Sequence, residues 1–395
     1  MNKVERLISQ ICPKGVPRVK IDDLISYEQP TKYLVASKSY DDSYSTPVLT
    51  AGQSFLLGYT NEEHGKYPAS ADSPVIIFDD FTTAYKWVDF EFKVKSSAMK
   101  MLTLRAGAPV SLRYFWYALS TIQIDTSEHA RYWISKISQI EIPLPPLEIQ
   151  NEIVRILDTF TELEAELEAE LEARKSQYVF FREHLLSERY LAQFESTSTT
   201  LGQVGKFNRG KGIQKVDLLQ EGLPGIHYGQ IHAHYGTSTV ETKSFVSQAV
   251  WNKSSRAKPG DLIIATTSES VEDVCKATAW LGDSEVAVSA DAMLYTHDMD
   301  PLFATYFFQS HHFGVHKTRI STGTKVKRIS AAKMSEIQIS VPPREVQARI
   351  GEALRNLELL TTSMSEGLPA EIAARRQQYE YFRGKLLTFQ ELEVA

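Results

Sequence analysis

The chain has 395 residues, which exceeds the usual domain size of about 100 to 200 residues and therefore predicts two or three domains. Hydrophobic residues make up 43% and charged residues 23%, which excludes a disordered, collagen-like or disulfide-stapled chain. The sequence has no signal-peptide h-region and no run of about 18 apolar residues, so it predicts a cytoplasmic protein outside the membrane. Cys12 and Cys275 are expected to be ordinary reduced thiols.

The first globular region is predicted over residues 17–139, after an N-terminal segment of residues 1–16. It holds short β-rich runs such as PVIIFDDF and KWVDFEFKVK, separated by Gly, Pro, Asp and Asn, and closes with the more helical YFWYALSTI. Residues 199–336 follow the same plan with DLIIATT, KATAWLG and a closing FATYFFQSHHF. The predicted fold class is α+β, with two mixed α/β domains.

A long helix is predicted within residues 140–198, a central helical spacer region. Pro145 and Pro146 fix its start, because proline is tolerated in the first turn of a helix and restricts the residue before it. Apolar residues then recur in steps of four and three, which is the seam of a coiled coil. They are Ile149, Ile153, Ile156, Phe160, Leu163 and Leu167. The stretch ELEAELEAELEA repeats a four-residue unit that keeps its leucines roughly on one face.

An internal repeat links this region to residues 337–395, a C-terminal helical spacer region. IEIPLPPLEIQNEIVRILD matches IQISVPPREVQARIGEALR, and ARKSQYVFFREHLL matches ARRQQYEYFRGKLL at 8 of 14 positions. In the second copy, Pro342 and Pro343 start the helix, while Gly367 and Pro369 predict a break and a fresh helix from about residue 369. The two copies are expected to pack on each other as an antiparallel coiled coil.

Charge is distributed unevenly along the chain, although the net charge is only −6. Residues 141–195 hold thirteen acidic and five basic side chains. Residues 301–335, called here the basic tract, hold no Asp or Glu but six Lys or Arg and the three histidines His311, His312 and His316. Such a stretch fits either a phosphate-binding surface or a solvated basic loop, and charge alone leaves both interpretations open.

Sequence motifs of catalysis are scarce. The sequence contains no GxxxxGK[ST], GxGxxG, HExxH or GxSxG motif and no NPPY-type tetrapeptide. Asp79 and Asp80 could form a paired-carboxylate site, although such pairs more often cap a turn. The seven histidines from His227 to His316 do not follow a metal-ligand pattern, so polar surface or DNA contact is the favoured interpretation over zinc.

Two globular domains, each followed by a Pro-Pro-initiated helix that ends in QYxxFRxxLL, resemble the DNA specificity subunit of type I restriction-modification systems. The resemblance covers nearly the whole chain and includes the ICPKGVP opening and STGTKVKRIS before the second helix. The ELEA units further resemble the type IC subgroup, in which a four-residue repeat in the central helix sets the distance between two recognition domains. The resemblance implies a non-catalytic subunit that reads a bipartite DNA target in two major grooves.

The same resemblance implies the partners. Two methyltransferase subunits would use S-adenosylmethionine on adenine N6, and ATP- and magnesium-dependent motor-nuclease subunits would join them, with no cofactor and no metal in this chain. Two alternatives are a protein-only coiled-coil scaffold and a hydrolase that uses Asp79 and Asp80.

Candidate DNA contacts are cationic or hydroxyl side chains predicted on loops and at strand ends. In the first domain they are Lys32, Thr82, Thr83, Lys86, His129 and Arg131. In the second domain they are Lys206, Arg209, Lys211, Lys317, Arg319, Thr324, Lys325, Lys327 and Arg328.

Overall fold

The computed structural model describes residues 3–52, 54–126 and 130–392. Its first half contains five helices and nine strands among these residues: α1 Lys3–Ile11, β1 Arg18–Lys20, α2 Ile21–Leu24, β2 Ile25–Glu28, β3 Thr46–Leu49, β4 Leu56–Thr60, β5 Val75–Asp79, β6 Tyr85–Val88, β7 Lys93–Val94, β8 Met99–Leu104, α3 Leu112–Leu119, α4 Tyr132–Ser135, β9 Glu141–Pro143 and α5 Leu147–Leu185. Short 3₁₀ turns occupy Pro30–Tyr33 and Ile137–Gln139.

The second half continues with smaller elements and ends in two longer helices. They are α6 Glu188–Leu191, β10 Thr197–Thr200, α7 Leu201–Val204, β11 Gly205–Arg209, β12 Leu223–Ile226, α8 Tyr228–Ala233, β13 Ser238–Thr239, β14 Ser244–Val246, α9 Gln248–Lys253, β15 Ser255–Ala257, β16 Leu262–Ala265, β17 Thr267–Ser268, β18 Ala277–Trp280, β19 Val286–Val288, β20 Ala292–His297, α10 Pro301–Gln309, α11 His311–Ile320, β21 Lys327–Arg328, α12 Ala331–Ser335, β22 Gln338–Val341, α13 Arg344–Thr362 and α14 Leu368–Leu387. A 3₁₀ turn occupies Lys215–Asp217.

The predicted α+β class is confirmed, and so are the two Pro-Pro helix starts. Helix α5 begins at Leu147, directly after Pro146, and α13 begins at Arg344, directly after Pro343. The predicted break in the second copy lies between Thr362 and Leu368, so α14 is a separate helix. The two cysteines are free thiols.

The chain divides into two compact units, each built around one globular region. Unit 1 comprises Met1–Glu166 and Ala373–Ala395, and unit 2 comprises Leu167–Ile372. Unit 1 contains the antiparallel sheet β2-β8-β5-β6 and the smaller sheet β4-β3-β7. Unit 2 contains the sheets β11-β20-β16-β18-β13 and β14-β12-β19-β15, together with the two-stranded β17-β21.

Antiparallel helix packing closes the core of unit 1. The Phe160 ring stacks on Phe382 with centroids 5.4 Å apart, and Glu164 pairs with Arg376 at 2.5 Å. Residue numbers increase along α5 while those of the contacting residues on α14 decrease, so the two helices are antiparallel. Leu386 and Leu387 at the end of α14 belong to the same buried core as Tyr114, Phe115 and Tyr117 of α3.

Unit 2 shows a similar packing of helices, formed by the second part of α5 and by α13. Leu185, near the end of α5, lines the same small cavity as Val346 and Ile350, near the start of α13. Tyr178, about two turns earlier in α5, donates to Gln309 Oε1 at 3.2 Å. The helix that follows the second domain and the helix that precedes it therefore both complete its core.

A buried glutamine fixes each Pro-Pro helix to its own domain. Gln150 Nε2 donates to Pro145 O at 2.7 Å while its Oε1 accepts from the Ser111 amide at 2.9 Å. In the second copy, Gln347 Nε2 donates to Pro342 O at 2.7 Å and its Oε1 accepts from the Asp300 amide at 2.8 Å. The two copies of the internal repeat therefore share the same pair of glutamine hydrogen bonds.

The predicted apolar seam of α5 is correct at its start and wrong at Leu163. Ile149 and Ile153 are fully buried, Ile156 packs against the same core and Phe160 stacks on Phe382, while Leu157 adds a fully buried side chain beside the predicted row. Leu163 is 39% exposed. Leu167 and Leu171, further along the same row, are half-buried, so the departure at Leu163 is local.

Candidate nucleic-acid interface

A tight hairpin at residues 322–328, here the basic hairpin, presents the central part of the basic tract. Thr322 and Arg328 exchange backbone hydrogen bonds at 2.9 Å in both directions. Gly323 adopts a φ of +100°, and a Cβ there would lie 2.1 Å from Val326 O, so only glycine fits the turn. Thr324 and Lys325 are exposed at its tip.

The basic hairpin is fixed to the domain by strand pairing. Thr267 in β17 pairs with Arg328 in β21, and Ser268 pairs with Lys327. Lys327 Nζ donates to Gly323 O at 2.9 Å, which further closes the loop. The hairpin is therefore a positioned projection that carries cationic side chains.

Arg209 and Arg328 line one cleft of about 420 Å³, here the arginine cleft. Its other lining residues are Thr266, Thr267, Asp291, Met293, Ile329, Ser330 and Ala331. Arg209 lies at the end of β11, and its Nε is 3.4 Å from Ala290 O. The structure thus brings together two predicted contacts that are far apart in the sequence.

His227 lies close to the arginine cleft, at the start of α8. Burial lowers its pKa, and the negative charge of Asp291 opposes that effect. His232 on the same helix contacts Thr267 O at 3.1 Å. Helix α8, β17 and the loop of Asp291 therefore form one end of the second domain.

The remaining cations of this domain lie apart from the cleft or turn inward. Lys206 and Lys211 are exposed, with Lys206 two residues into the edge strand β11. Lys317 Nζ donates to Glu272 O at 2.7 Å, and burial lowers its pKa. Arg319 is exposed near the end of α11. Charge alone thus did not distinguish the inward Lys317 from the outward cations.

The three histidines of the basic tract border a different cavity, of about 610 Å³, together with Glu183 and Glu188. The His311 amide donates to Glu183 Oε2 at 2.7 Å, and the rings of His312 and His316 are 4.8 Å apart. Across residues 3–52, 54–126 and 130–392, no group of three or more His, Cys, Asp or Glu side chains could hold a metal ion.

In unit 1, Thr82 and Thr83 lie on the turn between β5 and β6, as their sequence position predicted. Asp79 Oδ1 accepts from the amides of Phe81 at 2.9 Å and Thr82 at 2.8 Å, so this carboxylate caps the turn. Thr83 has a φ of +59°, an uncommon conformation for a residue other than glycine. The turn presents its threonines at the end of the sheet.

Arg131 lies beside this turn. The Tyr132 amide donates to Asp80 O at 2.9 Å, and the guanidinium carbon of Arg131 is 5.9 Å from the centre of the Phe81 ring. A segment about fifty residues further along the chain is therefore fixed to the β5–β6 turn. The structure brings Arg131 together with Thr82 and Thr83.

The other first-domain candidates are dispersed. Lys32, in a 3₁₀ turn, forms an ion pair with Glu28 at 3.1 Å. Lys86 lies on the edge strand β6, opposite Ile77. His129 lies outside the described residues.

Asp80 is buried and already paired. Its carboxylate accepts from the Trp133 amide at 2.8 Å and lies 3.1 Å from Lys100 Nζ, and both side chains of the ion pair are 2% exposed. With Asp79 capping a turn, both carboxylates of the hydrolase alternative have structural partners.

The profile of the type I restriction modification DNA specificity domain matches residues 13–173 and 195–374. The chain belongs to this specificity family. The type I restriction enzyme EcoR124I/EcoR124II specificity subunit of Escherichia coli is 39% identical over 410 residues, which cover 100% of this chain and 99% of that protein. A putative type I specificity subunit, S.HindORF215P of Haemophilus influenzae, is 28% identical over 353 residues, 85% of this chain and 86% of its own length.

Solved structures show the same fold in the specificity family. The type I restriction-modification S subunit of M. genitalium aligns with a TM-score of 0.56 at 15% identity, over 94% of this chain and 96% of that chain. A chain from a structure of complex assembly in the type I R-M system aligns with a TM-score of 0.53 at 14% identity, over 92% and 97%. No described helix is both long and apolar enough to cross a membrane.

Proposed function

We propose that this specificity-family chain is the sequence-specific DNA-binding subunit of a type I restriction-modification complex in the cytoplasm. Each globular domain would read one half of a bipartite target, and the bases between the halves would be unread. The observation that carries the proposal is the end of the second domain, where the arginine cleft adjoins the basic hairpin. A positioned projection with several cations matches what a DNA backbone requires.

The end of the first domain would serve the other half-target. Thr82, Thr83 and Arg131 lie together there, and hydroxyl and guanidinium groups contact both phosphates and base edges in DNA complexes. The chemical difference between the two ends supports the reading of two different half-targets. The other predicted contacts remain predictions and lie outside the arginine cleft, the basic hairpin and the β5–β6 turn. They are Lys32, Lys86, Lys206, Lys211, Lys317 and Arg319.

The catalytic steps would be carried out by the partner subunits of this chain. Two methyltransferase subunits would bind S-adenosylmethionine, and motor-nuclease subunits would bind ATP and magnesium. This chain would hold neither cofactor and would act by placing the methyltransferases on the target. The occupied carboxylates of Asp79 and Asp80 support a non-catalytic role.

Binding of the purified complex to duplex DNA tests the proposal. The chain is co-purified with its methyltransferase partner, and methylated adenines are mapped in cells that carry the system. We expect one bipartite methylated sequence, and nanomolar binding to a duplex that contains it. A complex that forms but shows no DNA binding would support the protein-only scaffold instead.

A domain exchange assigns each half-target to its domain. Moving residues 17–139 into a related specificity subunit should transfer one half of the methylated sequence and leave the other half unchanged. The reciprocal exchange of residues 199–336 is the matched control and should transfer the other half. Transfer of both halves by one domain would contradict the assignment of one half-target to each domain.

A further inference from the structure

We propose that Asp291 reads the exocyclic amino group of a cytosine or an adenine in the half-target of the second domain, between phosphates held by Arg209 and Arg328. This inference rests on the proposed DNA-binding function and assigns a specificity-determining residue within it. The ligand of this carboxylate is an amino group on the major-groove edge of a base.

The carboxylate of Asp291 is half-buried in the arginine cleft. Arg209 and Arg328 line the same cleft, and the charge of Asp291 acts on the nearby His227, but across the described residues the Asp291 carboxylate forms no hydrogen bond and no ion pair. Arg209 instead directs its Nε toward Ala290 O. The cleft therefore presents a carboxylate acceptor on a partly exposed side chain, which a ligand that enters the cleft can reach.

The loop that carries Asp291 is held firmly in place. The Thr266 amide and hydroxyl both donate to Asp291 O, at 3.2 and 3.0 Å. On the other side, the Gly210 amide donates to Ala292 O at 2.9 Å, and a Cβ on Gly210 would lie 2.1 Å from Ser289 O. Backbone contacts therefore position this acceptor before any ligand arrives, as a selective contact requires.

Hydrogen-bond chemistry restricts what can meet this carboxylate. An ionised carboxylate only accepts hydrogen bonds, and it repels phosphate oxygens. In the major groove, cytosine N4 and adenine N6 are the donors, whereas guanine and thymine present acceptor oxygens at that edge. Asp291 would thus favour C or A and disfavour G or T at one position, while the neighbouring arginines neutralise the backbone.

Substitution of Asp291 in the full complex tests the assignment. Asp291→Ala, Asp291→Asn and the control Asp283→Ala, an exposed aspartate of the same domain, are each co-expressed with the methyltransferase partner. Methylated sequences are then mapped in cells, and binding is measured on duplexes that vary each half-target base in turn. One further duplex carries a base analogue without the N4 or N6 amino group.

We expect Asp291→Ala to reduce discrimination at one position of the second half-target by roughly tenfold, with the first half-target unchanged. Asp291→Asn should broaden the base preference at the same position, since an amide both donates and accepts hydrogen bonds. The analogue should weaken binding of the wild-type complex but not of Asp291→Ala. Asp283→Ala should behave as the wild type.

Two results would overturn the assignment. In one, Asp291→Ala leaves every base preference unchanged; in the other, it raises affinity equally for all sequences, as removal of a charge that merely repels phosphate would do. Both results presuppose a wild-type complex with a sequence preference. A wild-type complex without any preference would instead reject the proposed function itself.

Discussion

The ammonium of Lys100 and the carboxylate of Asp80 lie 3.1 Å apart in the core of the first domain, with both side chains 2% exposed. Removing one partner leaves the other charge buried and unpaired. Asp80→Ala should therefore lower the free energy of unfolding of unit 1 by about 3–5 kcal/mol. Urea unfolding, followed by hydrogen exchange in β5 and β8, measures the effect.

The matched control is Asp79→Ala, which removes only a turn cap and should cost about 1–2 kcal/mol. A stable Asp80→Ala chain that forms the complex normally and loses an enzymatic activity would contradict the structural role and restore the hydrolase alternative.

Glu152 makes the stability of unit 1 depend on pH. Hydrogen bonds from Arg155 and Lys3 lower the pKa of this buried carboxyl to about 2. Because the folded pKa is lower than the unfolded value, the stabilisation is complete above about pH 5 and is lost as pH falls toward 2.

Glu152→Gln should therefore destabilise unit 1 by about 1–3 kcal/mol at pH 7, and the difference from the wild type should shrink progressively below pH 5. Urea unfolding of both chains between pH 3 and 7 measures this. A difference that stays constant with pH would show that the carboxylate charge is not the source of the effect.

The basic hairpin should supply much of the salt-sensitive binding to DNA. Replacing Lys325, Lys327 and Arg328 with Ala should weaken specific binding more than tenfold and flatten the dependence of affinity on salt. Titration of the methyltransferase complex with target duplex at several salt concentrations measures both.

A matched triple variant, Lys243→Ala, Lys253→Ala and Lys258→Ala, removes the same charge from exposed positions outside the hairpin. It should change affinity much less. Equal losses from the two triple variants would mean that net charge, rather than the hairpin, determines binding.

The ELEA units should act as a ruler within α5. Inserting one further unit after Glu168 lengthens the helix by about 6 Å and rotates its end by about 40°. Since a base pair adds about 3.4 Å and a tilted helix projects less than its length, we expect an unread spacer longer by one base pair.

Methylome sequencing of cells with the insertion tests the ruler, and deletion of one unit should shorten the spacer. Both half-targets should stay unchanged in either variant. Altered half-targets with a constant spacer would reject the ruler, whereas retained methylation with the new spacing supports it.

Local patterns predicted most of the elements. Pro-Pro pairs, β-rich runs and the break at Gly367 and Pro369 depend on nearby residues, and the structure confirms them. The exposure of Leu163 could not be derived in the same way, because the apolar spacing is the same at Leu163 as at its half-buried neighbours in the row, Phe160 and Leu167.

The candidate site was predicted only in part, because its residues meet through the fold. Arg209 and Arg328 were selected for charge, but their shared cleft depends on β17 pairing with β21. Asp291 stands alone in VSADAMLY and has no periodic or charge signal. Lys317 had the charge signal, yet its ammonium binds the Glu272 carbonyl.

The two units differ in chain continuity, which affects their formation during synthesis. Unit 2 is one uninterrupted stretch, whereas unit 1 needs Leu386 and Leu387 from the other end of the chain to fill its core. Domains fold as their residues leave the ribosome. The unit that is translated first is therefore the last to be completed. Until α14 is made, Phe160 of α5 lacks the Phe382 ring on which it stacks, and this exposed apolar surface is one that chaperones can bind.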